Sequence, residues 1–202
     1  RAPLQTVLFI SDICNLRCKH CSVYELKNPH NMTYEQVREH LKYSYDLGSR
    51  FVDFEGGEVT IWKDGDKRIN DLIDLAKEIG FFSCTITTNA QLPFAGSKAD
   101  SIWVSLDGAG EYHEEVRGKG TFAKLEKNIA SCGHKHLSVN MVVNTLNYTA
   151  VEETIEYAKN NPAIEMISIN FHTPFEGTEY LALDMDKRRE IIDKVLEYKK
   201  KG

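Results

Sequence analysis

The chain has little of what marks secreted, membrane-spanning or nucleic-acid-binding proteins. No apolar run in its 202 residues approaches the length needed to cross a bilayer. No signal-peptide pattern is present and the cysteine count of five is odd, which argues against a secreted disulfide framework. The net charge of −5 indicates no basic surface for nucleic acid. We therefore expect a cytoplasmic protein with no membrane span and no nucleic-acid partner.

The chain also lacks low-complexity stretches and linker-like segments, so no internal domain boundary is indicated. A hydrophobic content of 42% supports a sizeable core. We expect one domain over residues 1–202, either complete in itself or the core of a longer protein.

Three of the five cysteines stand close together near the start. Cys14, Cys18 and Cys21, called the cysteine triad below, are separated by three and then two residues. A closed zinc site normally needs four ligands, whereas a four-iron cluster on three thiolates leaves one iron open to a substrate. Zinc with His20 as fourth ligand is the alternative, although zinc sites usually draw on two separated ligand pairs. Cys84 and Cys132 lie in apolar contexts and are expected to be buried packing thiols.

Short apolar runs alternate with helical patterns six times along the chain. The runs are rich in Val, Ile and Phe and are expected to form strands at Thr6–Ile10, Phe51–Glu55, Phe82–Thr87, Ser101–Ser105, Leu137–Val143 and Met166–Asn170. Thr33 with Gln36, and Thr149 with Glu152, predict capping boxes at two helix starts. The segment after the third predicted strand, where a helix would be expected, contains Pro93 and Gly96. These two residues favour a loop there.

This alternation predicts a parallel sheet with right-handed crossovers. Six units are too few for a closed eight-stranded barrel. The predicted fold is α/β, a partial (β/α)6 TIM-like barrel with a curved six-stranded parallel sheet and helices outside. A doubly wound open sheet is the alternative that pattern alone does not separate.

Polar residues cluster where the predicted strands end, which is where parallel α/β folds carry their sites. Each of these residue types is also common in turns and caps, so one match alone means little. Besides the cysteine triad, the set comprises Glu55, Gly56, Gly57 and Glu58, then Thr87, Thr88 and Asn89, then Ser105, Asp107 and Gly108, and finally Asn144, Asn170 and His172.

These residues carry a resemblance to a known family. The cysteine triad resembles the cluster motif of radical S-adenosylmethionine (SAM) enzymes, and Gly56-Gly57-Glu58 resembles their Gly-Gly-Glu motif. With Ser105-Leu106-Asp107-Gly108 and Arg117-Gly118, the chain is similar to the branch containing molybdenum-cofactor cyclases and peptide-modifying enzymes. The resemblance covers nearly the whole chain.

The resemblance implies a [4Fe-4S] cluster on the cysteine triad and SAM chelated to its open iron. Glu58 would accept hydrogen bonds from the SAM amino group, with the backbone at Gly56 and Gly57 assisting. Arg117 would bind the SAM carboxylate. The remaining implied contacts are Ser105, Asp107 and Asn144 at the ribose, Thr88 and Asn89 on the floor, and Asn170 and His172 on the substrate side.

By the same resemblance, cleavage of SAM would give a 5′-deoxyadenosyl radical that abstracts hydrogen from a peptide, a small metabolite or a lipid. A small electron donor such as a flavodoxin or ferredoxin would be the partner. His20 departs from the aromatic residue often found before the third cysteine. Relatives in this branch often carry a C-terminal extension with auxiliary clusters, which this chain does not contain.

Two other classes of function stay open at this point. A non-catalytic metal-binding or scaffold protein could keep the fold, although loss of Glu58 or of a cysteine would then be expected. A zinc hydrolase would need His and acidic ligands converging from strand ends, and only His172 is placed for that role.

Overall fold

The fold is built on one sheet of six parallel strands. The computed structural model describes residues 3–23 and 26–201. The strands are β1 (Gln5–Ser11), β2 (Phe51–Gly56), β3 (Ser83–Thr88), β4 (Ser101–Ser105), β5 (Leu137–Val143) and β6 (Met166–Phe171). They pair in sequence order from β1 to β6, without the reversal of strand order that a doubly wound sheet requires. The curved, unclosed sheet confirms the predicted partial (β/α)6 barrel.

Helices connect the strands and pack on one side of the sheet. They are α1 (Tyr34–Asp46), α2 (Ile69–Ile79), α3 (Glu111–Arg117), α4 (Thr121–Cys132), α5 (Val151–Asn160) and α6 (Met185–Lys201). The predicted capping box at α1 is confirmed, since Thr33 Oγ1 accepts from the N–H of Gln36 and the Gln36 side chain accepts from the N–H of Thr33. No helix in the described ranges is long and apolar enough to cross a membrane.

The core lies between the sheet and the helices. Alternate strand residues face this layer, so Val52 and Phe54 of β2 are fully buried while Asp53 between them is not. Cys84 and Cys132 are both buried, which confirms their expected packing role. The other face of the sheet, called the inner face below, is lined by the intervening residues and leaves Val7 half exposed.

Three local predictions can be compared with the fold. The expected loop after β3 is confirmed, because the chain carries no helix between Asn89 and Lys98. The predicted capping box at Thr149 is wrong: a 3₁₀ turn over Tyr148–Ala150 precedes α5, and no side chain caps that helix. Helix α3 was not predicted from the sequence, since its seven residues are too few to display a helical period.

Candidate functional site

The cysteine triad occupies an irregular loop at the carboxyl end of β1. One of its members is buried, two are partly exposed, and all three are free thiols. Backbone hydrogen bonds anchor the loop on both sides. The N–H of Asp12 donates to His30 O across 2.8 Å, and that of Lys19 donates to Val116 O across 3.0 Å. The loop is therefore tied both to its own return segment and to α3.

N–H groups point at all three sulfur atoms of the triad. The backbone N–H groups two residues further along the chain lie 3.4 Å from Sγ of Cys14 and of Cys21. Nη1 of Arg117 lies 3.8 Å from Sγ of Cys18. Donors in these positions stabilise a negative charge on sulfur. The negatively charged thiolate is the form of cysteine that binds iron.

Burial alone works against that negative charge. It raises the pKa of the Cys14 thiol and raises the pKa of Cys18 to about 11, although the guanidinium of Arg117 acts in the opposite direction at both. The thiols of Cys14 and Cys18 are therefore protonated at neutral pH in the absence of a metal. A bound metal centre would supply the positive charge that stabilises the thiolates, so that cluster binding would release protons.

The arrangement of ligands suits a cluster better than a single ion. Within residues 3–23 and 26–201, no group of three or more His, Cys, Asp or Glu side chains is arranged to hold one metal ion. Each thiolate of a four-iron cluster binds a different iron, so the sulfur atoms need not converge on one point. Nε2 of His20, the fourth ligand in the zinc alternative, lies 3.7 Å from Oδ2 of Asp107. The donor set thus fits the [4Fe-4S] group that the resemblance implies.

Glu58 is a buried carboxylate held in one orientation by four hydrogen bonds. Its Oε1 accepts from the N–H and the hydroxyl of Thr60, at 3.0 and 2.6 Å, and from the hydroxyl of Thr88 at 2.7 Å. Its Oε2 accepts only from the N–H of Asn89, at 2.7 Å, among the bonds of the described residues. Since a carboxylate oxygen can accept two hydrogen bonds, Oε2 has capacity for one further donor.

The two glycines before Glu58 let the end of β2 touch the cysteine loop. The N–H of Gly57 donates to Ser11 O across 2.6 Å, and that of Glu58 donates to Ile13 O across 2.9 Å. A Cβ at Gly56 would lie 2.4 Å from Ser11 O, and one at Gly57 would lie 2.3 Å from Ile13 O. Only glycine permits this approach. A ligand amino group donates hydrogen bonds, so any assistance from the backbone of this segment would come from its carbonyl oxygens.

Asn89 connects the Glu58 carboxylate to the cysteine loop. Besides its backbone bond to Glu58, its side-chain Nδ2 donates to Asn15 Oδ1 at 2.8 Å and lies 3.7 Å from Sγ of Cys14. The predicted floor residues Thr88 and Asn89 therefore both bind the Glu58 side chain. The ends of β2 and β3 and the cysteine loop meet at this point.

Asp107 and Arg117 form a buried ion pair. Nε of Arg117 donates to Oδ2 of Asp107 across 2.6 Å, and the N–H of Val142 donates to Oδ1 across 2.9 Å. Burial opposes the charged form of each side chain, but the charge of its partner keeps the pKa of the carboxyl low and that of the guanidinium high. Each Asp107 oxygen thus accepts one hydrogen bond inside the protein and the side chain is fully buried, and the ribose contact implied by the resemblance stays a prediction.

Two histidines beside this ion pair, the buried His113 and the partly buried His20, each have a ring nitrogen without a hydrogen-bond partner among the described residues. Nδ1 of His113 accepts from the N–H of Asp107 at 3.2 Å, while its Nε2 has no hydrogen-bond partner among the described residues. The same holds for Nδ1 of His20. Burial lowers the pKa of both imidazoles, that of His113 to about 3. Both rings are therefore neutral at physiological pH.

Ser105 and Asn144 are the other two residues that the resemblance places at the ribose. They differ in burial and in the hydrogen bonds that the structure gives them. Ser105 ends β4, is partly exposed and pairs in register with Asn140 of β5. Asn144 is fully buried, donates to Val142 O at 3.1 Å and accepts from the N–H of Leu146 at 2.9 Å. Its side chain thus holds the turn after β5.

The two predicted substrate-side residues also have different surroundings. Asn170 is exposed near the end of β6 and donates to Oδ1 of Asn140 across 2.7 Å. His172 lies one residue beyond β6 and is buried, with Nε2 3.1 Å from Thr178 Oγ1 and its ring edge against Phe175. Its contacts are those of a loop histidine with satisfied partners, and its role toward substrate stays a prediction.

Several residues of this site were not anticipated from the sequence. Thr60 binds Glu58, Asn15 binds Asn89, and Asn147 donates to the carbonyl of Asp107 at 2.8 Å. Glu58 caps the 3₁₀ turn over Val59–Ile61 by accepting from the N–H of Thr60, but Glu is not a preferred N-cap residue, so the sequence carries no clear signal for this contact. The other two meet their partners only through the tertiary fold.

Comparison with known proteins gives a consistent result. The family model described as the radical SAM superfamily matches residues 8–158. A GTP 3′,8-cyclase of Clostridium botulinum is 31% identical over 186 residues, which cover 80% of this chain and 53% of the cyclase. A probable GTP 3′,8-cyclase of Methanococcus aeolicus is 25% identical over 197 residues, covering 92% of this chain and 65% of the relative. The chain spans about half the length of most of the curated relatives it matches.

Solved structures share the fold. Streptococcus suis SuiB bound to S-adenosylmethionine superposes with a TM-score of 0.80 at 23% identity, over 98% of this chain and 48% of SuiB. The structure of anSMEcpe with bound AdoMet and Cp18Cys peptide gives a TM-score of 0.75 at 17% identity, over 97% of this chain and 59% of that protein.

Proposed function

The chain belongs to the radical SAM superfamily, and we propose that it binds SAM at a [4Fe-4S] cluster on the cysteine triad and acts as a radical enzyme. Members of this superfamily use such a cluster together with SAM. The chemistry that the bound pair supplies is one-electron reductive cleavage of the sulfonium, which yields methionine and a 5′-deoxyadenosyl radical. Residues 1–202 would form the radical SAM core domain of this enzyme.

The observation that carries the proposal is the position of Asn89. This one residue donates its backbone N–H to Glu58 and reaches Sγ of Cys14 with its side chain. A SAM amino group held by Oε2 of Glu58 would therefore lie beside the cysteine loop, where chelation of an open iron requires it. Thr60 and Thr88 orient the Glu58 carboxylate before the ligand arrives, so little conformational entropy is lost on binding.

The electron must come from outside the protein in this proposal. A small carrier such as a flavodoxin or ferredoxin is the proposed donor, as the family resemblance implies. The cytoplasmic location expected from the sequence fits such a donor and stays a prediction.

The inner face of the sheet is the proposed substrate surface. It carries two carboxylates on β2, Asp53 and Glu55, and the bonded amides of Asn140 and Asn170 on β5 and β6. Burial and the neighbouring Asp53 raise the pKa of Glu55. Two carboxylates at this position would repel a nucleoside triphosphate, the substrate class that the names of the cyclase relatives indicate. A neutral or cationic substrate that donates hydrogen bonds, such as a peptide, is favoured.

The test is anaerobic reconstitution with iron and sulfide, followed by reduction with dithionite in the presence of SAM. Formation of 5′-deoxyadenosine and methionine in equal amounts is expected, with loss of both products in the Cys14→Ala variant. The proposal would be overturned if the protein bound stoichiometric zinc without iron. It would also be overturned if a protein that holds a reducible cluster did not cleave SAM. Tight binding of GTP to the reconstituted protein would overturn the substrate class alone.

A further inference from the structure

The buried cation Arg117 connects the carboxyl end of β4 with the cysteine loop. Its Nε donates to Asp107 across 2.6 Å, and its Nη1 lies 3.8 Å from Sγ of Cys18. The guanidinium side chain is 8% exposed and the carboxylate is fully buried. The ion pair is therefore shielded from solvent, and its second contact is a member of the cysteine triad.

The geometry of Asp107 determines where the guanidinium points. Its Oδ1 accepts from the N–H of Val142, its backbone N–H donates to His113 and its carbonyl accepts from Asn147. The first of these bonds orients the carboxylate and the other two fix the backbone that carries it, so Asp107 cannot follow a moving partner. Asp107 therefore fixes the position of the Arg117 guanidinium. The planar fork of N–H groups on that guanidinium then places Nη1 beside Cys18.

A cationic donor at a cluster sulfur has a definite electronic effect. Hydrogen bonds and positive charge near the sulfur atoms stabilise the reduced cluster, because reduction adds one negative charge. Groups that contact a metal ligand without touching the metal commonly tune both its affinity and its potential. Low exposure strengthens the effect here, since little solvent screens the charge.

We propose that Arg117 is a positioning residue for the Cys18 thiolate, that it raises the reduction potential of the cluster, and that Asp107 holds it there. The inference rests on the cluster put forward under the proposed function. It gives Arg117 and Asp107 roles at the cluster, whereas the family resemblance implies contacts with the SAM carboxylate and ribose.

The experiment compares reconstituted wild-type protein with Arg117→Gln, Arg117→Lys and Asp107→Asn. Three quantities are measured: iron per chain, the midpoint potential of the cluster followed by electron paramagnetic resonance, and SAM affinity. Lys19→Gln is the matched control. It removes a cation from the cysteine loop itself, but Lys19 is solvent-exposed and paired with Glu115.

Arg117→Gln is expected to bind iron and to shift the midpoint potential to a more negative value, by more than Lys19→Gln does. Arg117→Lys retains the charge without the fork and should give a smaller shift. Asp107→Asn should shift the potential in the same direction, because the guanidinium loses its anchor.

Two results would overturn the inference. One is a potential that is unchanged in every Arg117 and Asp107 variant that holds a cluster. The other is a loss of SAM affinity in Arg117→Lys with no change in potential, which would assign Arg117 to the SAM carboxylate. If Arg117→Gln does not fold, the Lys and Asn variants decide between these outcomes. A wild-type protein that binds no cluster would instead reject the proposed function, on which the inference depends.

Discussion

The backbone N–H of Asn89 donates to Oε2 of Glu58 across 2.7 Å, joining the ends of β3 and β2. Through this bond the carboxylate of the Gly-Gly-Glu segment is oriented by a residue that also reaches Cys14. The proposed binding of an amino group by Glu58 would therefore be coupled to the placement of the cysteine loop through Asn89. The predictions below test the parts of this arrangement separately.

Glu58→Gln is expected to weaken SAM binding while the cluster stays bound. A charge-assisted hydrogen bond contributes about 1.5–3 kcal/mol, which corresponds to an affinity about 10- to 100-fold lower. Isothermal titration of the reconstituted protein with SAM measures this loss. Glu55→Gln, the same change three residues earlier on β2, serves as the control and should bind SAM as wild type does. Equal affinities of wild type and Glu58→Gln would remove the role assigned to Glu58.

Replacement of any member of the cysteine triad by Ala should abolish cluster binding. Wild-type protein should hold about four irons per chain after reconstitution, as expected for a [4Fe-4S] cluster. Cys84→Ala and Cys132→Ala are the controls, because both thiols are buried away from the loop. Iron and sulfide assays decide the outcome. Retention of four irons in a triad variant, or their loss in a control variant, would contradict the ligand assignment.

Gly57→Ala should displace the cysteine loop and reduce iron retention. The added Cβ would lie 2.3 Å from Ile13 O, a backbone atom that cannot move alone. Gly96→Ala is the informative comparison, since its Cβ meets nothing within 4 Å while its φ of +80° is unfavourable for Ala. We expect Gly96→Ala to lose some stability yet keep its iron. If Gly57→Ala reconstitutes as wild type does, the close approach of the two segments is not required.

His113 should make stability depend on pH in the acid range. Burial lowers its pKa to about 3, below the ordinary value near 6.5, so the unfolded chain binds more protons between these values. The free energy of unfolding therefore falls as pH drops from about 6.5 toward 3, with a contribution of up to about 1.4 kcal/mol per pH unit.

The matched variant for this test is His113→Asn, which can still accept a hydrogen bond but does not titrate. Denaturant unfolding at pH 7 and pH 5 should show the stability difference between wild type and variant becoming smaller at the lower pH. A difference that is constant with pH would show that His113 does not titrate in this way.

Much of the fold could be predicted from the chain alone. Strand parity and apolar content located all six strands to within one or two residues, because a buried layer on one face requires alternation whatever lies opposite. The missed helix α3 and the wrong cap at Thr149 are short-range errors. In both places the tertiary context outweighs the local preference of a few residues.

By itself the sequence determined the alternation of six strands with helical segments, the spacing of the cysteine triad and the two glycines that let Glu58 lie beside the cysteine loop. These features depend on residue type and local spacing. Only the tertiary structure decided that Asp107 pairs with Arg117, that Asn144 is used in its own turn, and that Thr178 holds His172. The alternation of residues along a strand determines on which face of the sheet a side chain lies. Its hydrogen-bond or ion-pair partner depends on how the strand ends and loops converge in space. That convergence is set by packing of the whole sheet.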